Sequence, residues 1–205
     1  MAKTSSNMSI VQKAESVLRT PTKFFTSVQK EKGLKAPFVY LAVVSFISAL
    51  LNYFFNPMLK LFAAPFGPGI GFAAIIGLWI AGLILSFIFY GFFHLFVMLL
   101  GGKGGYENTY KVFAYSSTPS SLLGWIAGIF FGFGLGGIVV GGLIYVALII
   151  WALYLFVTGL SIVHKMTKLR ALAVILIPVV ILAILVIAIV ALVAVAYVTS
   201  GAIPA

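Results

Sequence analysis

Both histidines of this sequence and one of its three glutamates form a candidate metal-ligand set: His94, Glu107 and His164. Two imidazoles and a carboxylate are a recurring ligand set for zinc and other divalent ions. They come from three separate segments, so no spacing motif joins them. A polar contact at helix ends is the competing reading. A second polar concentration is Tyr115-Ser116-Ser117-Thr118-Pro119, followed by Ser120 and Ser121. Pro119 removes a backbone donor and crowds the preceding turn, so a helix should kink or break there. Neighbouring hydroxyls can satisfy the freed carbonyls, and discontinuous membrane helices often line binding sites. No HExxH, GxSxG or GxxxxGK[ST] pattern occurs, and the chain has neither Asp nor Cys. Paired aspartates, disulfides and cysteine nucleophiles are thereby excluded. No enzyme is expected, and no cofactor beyond a divalent metal at the His94, Glu107 and His164 set.

The elements that must hold these residues are membrane helices. Hydrophobic residues make up 63% of the 205 and charged residues 8%, against about 45–50% and about 25% in soluble domains. A water-soluble surface cannot be built from so few charges. Five apolar runs approach or exceed the roughly 20 residues needed to cross the bilayer: about 38–55, 70–100, 111–131, 138–162 and 171–198. Their lack of two-residue alternation excludes barrel strands. No Asp, Glu, Lys or Arg lies deep inside a run, which argues against a proton-coupled pump. Pro178 should kink the fifth run.

Lys and Arg counts orient the spans. The N-terminal segment carries seven (Lys3, Lys13, Arg19, Lys23, Lys30, Lys32 and Lys35) and the first loop only Lys60. Lys103 and Lys111 belong to the second loop, and Lys165, Lys168 and Arg170 to the fourth. Five spans put 12 of the 13 basic residues on one side, so the N-terminus is expected in the cytoplasm and the C-terminus outside, across the cytoplasmic membrane. The net charge of +10 then reflects topology rather than nucleic-acid binding. The sharper reading of Lys13, Arg19, Lys23, Lys30, Lys32 and Lys35 is a face for anionic lipid headgroups.

Residues 1–37 lack the apolar run and cleavage site of a signal peptide, so the mature chain is expected to begin near Met1. Ser9 with Gln12 forms a capping-box pattern. Ile10, Val11, Ala14, Val17 and Leu18 then share a helical face, with Lys13, Glu15 and Arg19 off it. Thr20-Pro21 restarts a helix, with Phe24, Phe25 and Val28 as its stripe. Two short amphipathic helices are expected, lying either on lipid or on the bundle. Met58–Ala64 reads as a short interfacial helix. Gly124, Gly128, Gly132 and Gly136 recur every fourth residue, and Gly137 and Gly141 extend the pattern. Such small-residue faces let helix backbones approach, within the chain or in a homo-oligomer.

Several stretches resemble the Yip-domain family, named for Ypt/Rab-GTPase-interacting proteins. Leu18-Arg19-Thr20-Pro21-Thr22-Lys23-Phe24-Phe25 is similar to the Pro-x-x-Phe-Phe entry of prokaryotic members. His94 through Gly101-Gly102-Lys103-Gly104 resembles the end of the family's second span. Thr109 through Tyr115-Ser116-Ser117-Thr118-Pro119 resembles its aromatic-x-x-x-Pro third span. Gly159-Leu160-Ser161-Ile162-Val163-His164, with Lys168 and Ala171, resembles the fourth span running into the fifth. The resemblance implies five membrane helices and a cytosolic N-terminus. Eukaryotic relatives act in vesicle traffic through Rab-type GTPases and carry an Asp-Leu-Tyr-Gly-Pro-like motif. That motif is absent here, so a small GTPase partner is not expected.

The fold expected is therefore an all-α integral membrane bundle of five transmembrane helices (38–205), preceded by a basic cytoplasmic segment with amphipathic interfacial helices (1–37). The expected role is non-enzymatic: organising or shaping membrane, or scaffolding membrane partners. The alternative is a small transporter or channel using the broken third helix.

Overall fold

The computed structural model describes Ser5 and residues 8–199, apart from the side chains at 62, 63, 66, 68 and 198. Lys3 and the C-terminal residues 200–205, which the charge count places on opposite sides of the membrane, lie outside the described residues. All regular elements among the described residues are helical. Their order is α1 (Ile10–Arg19), α2 (Pro21–Val28), α3 (Lys35–Phe55), α4 (Pro57–Ala63), a 3₁₀ turn (Ala64–Phe66), α5 (Gly67–Leu99), α6 (Tyr106–Ser116), α7 (Thr118–Phe130), α8 (Gly134–Val163) and α9 (Lys168–Thr199).

Local chemistry sets these boundaries. Ser9 and Gln12 close the capping box that starts α1, each side chain accepting from the other residue's backbone N–H at 3.2 and 3.1 Å. Pro21 opens α2, where its missing N–H costs nothing. Asn56 caps α4 by accepting from the backbone N–H groups of Met58 and Leu59. Helix α9 continues through Pro178.

Four helices are long and apolar enough to cross a membrane: Lys35–Phe55, Gly69–Leu99, Gly134–Val163 and Lys168–Tyr197. The third expected run, 111–131, is two helices instead. Its first piece, α6, carries Glu107 and Lys111 and begins at Tyr106, before the apolar stretch. The break falls at Ser117, so Pro119 sits in the first turn of α7 rather than in a helix interior.

Helix α8 runs antiparallel to α6 and α7 along their combined length. His164 lies beside Thr109 at one end, Phe156 packs on Phe113, and Gly137 abuts Phe130 at the other end. Helix α3 flanks α7 in the same direction, with Tyr40 on Thr118 and Asn56 on Gly128. Beyond Pro178 the described side chains of α9 are exposed and almost all apolar, as a lipid-facing helix requires.

The main core lies at the end where α1 and α2 sit. Val17, Phe24, Phe25 and Val28 are buried with Val112, Tyr115, Leu155, Leu160 and Val163. Each large apolar side chain there contributes roughly 1.5–3 kcal/mol by leaving water. A Cβ at Gly159 would lie 2.9 Å from both Phe25 Cε1 and Val112 Cγ1, so α2, α6 and α8 converge on one glycine. The N-terminal helices therefore rest on protein.

Candidate functional site: a polar cap at one end of the bundle

The buried face of α1 passes through Lys13, Ala14 and Val17. Lys13 and Val17 are one turn apart, so the lysine belongs to the packed face rather than lying off it. Val11, expected on that face, is 75% exposed. This corrects the assignment of Lys13 to a lipid-facing set: it is 5% exposed and pairs with Glu31 at 2.6 Å. The other five, Arg19, Lys23, Lys30, Lys32 and Lys35, are exposed.

Around Glu31 the cap is fully knit. Tyr115 donates its hydroxyl to Glu31 Oε2 at 2.8 Å, and Lys13 Nζ donates to Tyr115 Oη at 3.0 Å. Lys111 Nζ, also buried, reaches the Glu31 carbonyl oxygen at 2.6 Å, Asn108 Oδ1 at 3.3 Å and Glu107 at 2.8 Å. Two lysines and two glutamates thus tie α1, the α2–α3 connection and α6 together. Charges this far from water persist only when paired and hydrogen-bonded. The sequence pattern missed Lys13, Glu31 and Lys111 as a set. The available signal was Lys13 at helical spacing from Val17, and Glu31 and Glu107 as two of only three acids.

Tyr115 links this cap to the helix break. Its ring meets Phe24 and Tyr40 edge-on, with centroids 5.0 and 4.8 Å apart. Its carbonyl would ordinarily accept from the residue four positions on, which is Pro119 and has no N–H. The Thr118 hydroxyl donates to that carbonyl instead, at 2.5 Å. Tyr40 then supplies the donor to Thr118 Oγ1 at 2.7 Å. Ser117 splints Ala114 O at 2.9 Å. Ser116 Oγ is buried without a partner.

The two histidines meet through one threonine. Thr109 Oγ1 lies 2.8 Å from His94 Nδ1 and 2.9 Å from His164 Nε2. Gly104 N–H donates to His164 Nδ1 at 3.1 Å, so Nδ1 is unprotonated and Nε2 carries the hydrogen. The order follows: His164 Nε2–H donates to Thr109, whose hydroxyl donates to His94 Nδ1. A Cβ at Gly104 would lie 2.6 Å from His164 Nδ1, which explains the glycine. Glu107 is not brought to this pair; it turns to Lys111. Among the described residues no group of three His, Asp or Glu side chains could hold a metal ion. A cation four residues along the same helix competes for the carboxylate, and Thr109 fills the space between the imidazoles.

Burial, then the neighbouring His94, pushes the His164 imidazole down to about 4. Its folded pKa lies below the usual ~6.5, so the unfolded state takes up the proton first as pH falls. Stability is complete above about 6.5 and is lost towards 4. Thermal unfolding in micelles is expected to show a loss of roughly 2 kcal/mol from pH 7 to 5, with most of that slope absent in His164→Gln. An unaltered slope in the variant would remove His164 as its source.

The glycines divide. Gly128 faces Asn56, Gly132 faces Pro57 at 2.6 Å from an added Cβ, and Gly124 meets Tyr145, whereas Gly136 faces open space. The chain turns at 131–133, so the four-residue spacing carries Gly136 off the packed face. Gly137 and Gly141 take its place against α7.

With this architecture in place, the Yip1 domain is matched over residues 16–198. The chain belongs to the Yip1 domain family. The match begins inside α1 and runs to residue 198 in α9, so the last turn of α1 and all of α2 fall within the Yip1 domain. An uncharacterized protein of Methanocaldococcus jannaschii is 31% identical over 108 residues, covering 50% of this chain and 77% of that protein. This likeness supports a prokaryotic-type Yip1 member. No solved structure matches the chain.

Proposed function

We propose that this Yip1 domain protein is a five-span, non-enzymatic protein of the cytoplasmic membrane that organises or shapes the bilayer or scaffolds membrane partners, possessing a cytoplasmic N-terminus and an outer C-terminus. The observation that carries the reading is the basic cap. Helices α1 and α2 are built into the bundle's own core, and Arg19, Lys23, Lys30, Lys32 and Lys35 remain exposed on them, on the α2–α3 connection and at the start of α3. The outer surfaces of α5, α8 and α9 are broadly apolar. A rigid body with an apolar girdle and a cationic end fits a leaflet rich in anionic headgroups. Lys32 and Lys35 line a groove of about 430 Å³ with Met8, Ile10 and Val39, a setting suited to a headgroup and the start of its chain.

The five-span reading is supported by the way α6 and α7 accompany α8 from Thr109 to Phe130. Together they form one span, broken at Ser117. The hydroxyls of Ser117 and Thr118 are committed to backbone carbonyls, which favours a splint over a polar pathway and the scaffold over a transporter.

The test uses the absence of native cysteine. Single cysteines at Thr20, Lys103 and Lys165 are expected to label from the cytoplasmic side and one at Lys60 from the other. Reconstitution into phosphatidylglycerol vesicles is expected to change vesicle diameter or form tubules, or crosslinking in native membranes to recover a membrane partner. Unchanged vesicles with no crosslinked partner would remove the reading, and solute flux would favour the transporter.

A further inference from the structure

Beside the helix break lies a cavity of about 400 Å³, bounded by α5, α6, α7, α8 and α9. Its volume is in the range of small-ligand sites. The walls are mainly apolar: Phe89, Phe113, Leu153, Phe156 and Ile175. Phe89 and Ile149 are more than half exposed on the outer face of the bundle, so the cavity opens sideways towards lipid rather than towards water.

One edge of this apolar space is polar. Ser116, Ser117 and Ser120 line it together. Ser117 has given its hydrogen to Ala114 O. Ser116 is 4% exposed, and its hydroxyl has no partner in the protein. A serine in a helix can usually return its hydrogen to a carbonyl of the preceding turn. Its neighbours Ser117 and Thr118 do so, and Ser116 does not. An unmet donor at membrane depth is costly because no water is there to receive it. The occupant that suits such a place is mostly hydrocarbon with an oxygen acceptor at one end.

Depth identifies the source. Thr109 sits beside His164 at the cytoplasmic end of α8, and Ser116 lies seven residues further along α6. At 1.5 Å per residue this is about 10 Å below the helix end. With the end of α8 at the headgroup level, that is where a glycerolipid changes from its oxygenated backbone to its chains.

We propose that this cavity is a lipid site: a bilayer glycerolipid inserts one chain between α5, α8 and α9, and an oxygen of its glycerol region accepts from Ser116 Oγ. The site goes beyond the scaffold reading, which needs no bound lipid, and each can fail without the other. A resident lipid would complete the wall of the broken span where the protein leaves a gap.

The test is photolabelling of the full chain in detergent micelles, titrated with phosphatidylglycerol carrying a diazirine on one acyl chain. Labelled peptides are mapped by mass spectrometry. Labelling of the segments holding Ser116–Ser120 and Leu153–Phe156 is expected to saturate. Labelling of the exposed stretch 179–195 of α9 should rise without saturation and serves as the internal reference. Leu153→Trp, which fills the cavity, should lower cavity labelling at least five-fold against that reference. Ser116→Ala adds no bulk and should lower it about three-fold, so the proposal remains testable if the tryptophan variant misfolds. Labelling of the cavity segments that never saturates would overturn the site. Saturable labelling unchanged in Ser116→Ala would overturn the hydroxyl's role in it.

Discussion

Glu31→Ala is expected to destabilise the protein by about 3–5 kcal/mol and to release α1 and α2 from the bundle. Among the described residues the carboxylate is the only acidic partner of Lys13, and both side chains are almost wholly buried. Its removal leaves an ammonium inside the core with Tyr115 Oη as its remaining partner. Tyr115 in turn loses the acceptor for its own hydrogen. Breaking a buried pair from one side costs far more than the pair contributes, because the surviving charge has no water to return to. The rescue follows the same reasoning. Lys13→Met with Glu31→Leu removes both charges, keeps apolar volume, and should recover most of the loss. Thermal unfolding in micelles measures the magnitude. Limited trypsin digestion measures the location, since Arg19 and Lys23 are exposed but held in or beside helices. Cleavage there should be fast in Glu31→Ala and slow again in the double variant. A double variant as unstable as the single one would show that the pair sets the fold of the cap rather than only tolerating burial.

The spans were legible because an apolar run is a compositional signal that neighbours do not alter. Four expected runs, about 38–55, 70–100, 138–162 and 171–198, correspond to α3, α5, α8 and α9. Each helix begins three or four residues before its run, since a first turn tolerates Lys35, Gly67, Gly134 or Lys168. The run at 111–131 behaved differently because α6 is enclosed by α3, α5 and α8, with the polar cap of α1 and the α2–α3 connection against its Lys111 and Tyr115. There Lys111 and Glu107 can be paired, and periodicity no longer marks the helix. Lys13 was misread for the same reason: a charge at a packed position looks like a solvated one until its partner, eighteen residues away, is known. The approach of His94 to His164 could be expected from topology, which put both at one membrane face. The threonine between them could not, because Thr109 has no signature apart from its neighbours. The Tyr115–Pro119 break was readable down to its chemistry, since a proline defines which carbonyl loses its donor and nearby hydroxyls are the available replacements.

Adjacent glycines in α8 are expected to respond to the same substitution with opposite sign. Gly137→Ala places a methyl group against the backbone oxygen of Phe130, closer than any relaxed contact. Gly141→Ala places one 2.7 Å from Ala127 O and from the Phe131 ring. A side chain can rotate away, but these oxygens belong to α7 itself, so the helices must separate. Overpacking of this kind typically costs about 1–3 kcal/mol, and Gly137→Ala should fall at or above the upper end. At Gly136 and Gly142 an added Cβ meets nothing within 4 Å. Alanine there gains helix propensity, up to about 1 kcal/mol in a helix interior, and should leave stability equal or higher. Small residues at four-residue spacing mark a packed face in general, but here the turn at 131–133 shifts the register, so only one glycine of each adjacent pair touches α7. Unfolding midpoints of the four single variants in one detergent decide the matter. Losses confined to positions 137 and 141 support direct backbone contact between α7 and α8. Equal losses at 136 and 142 would instead require an interface on their open face, such as a second copy of the chain.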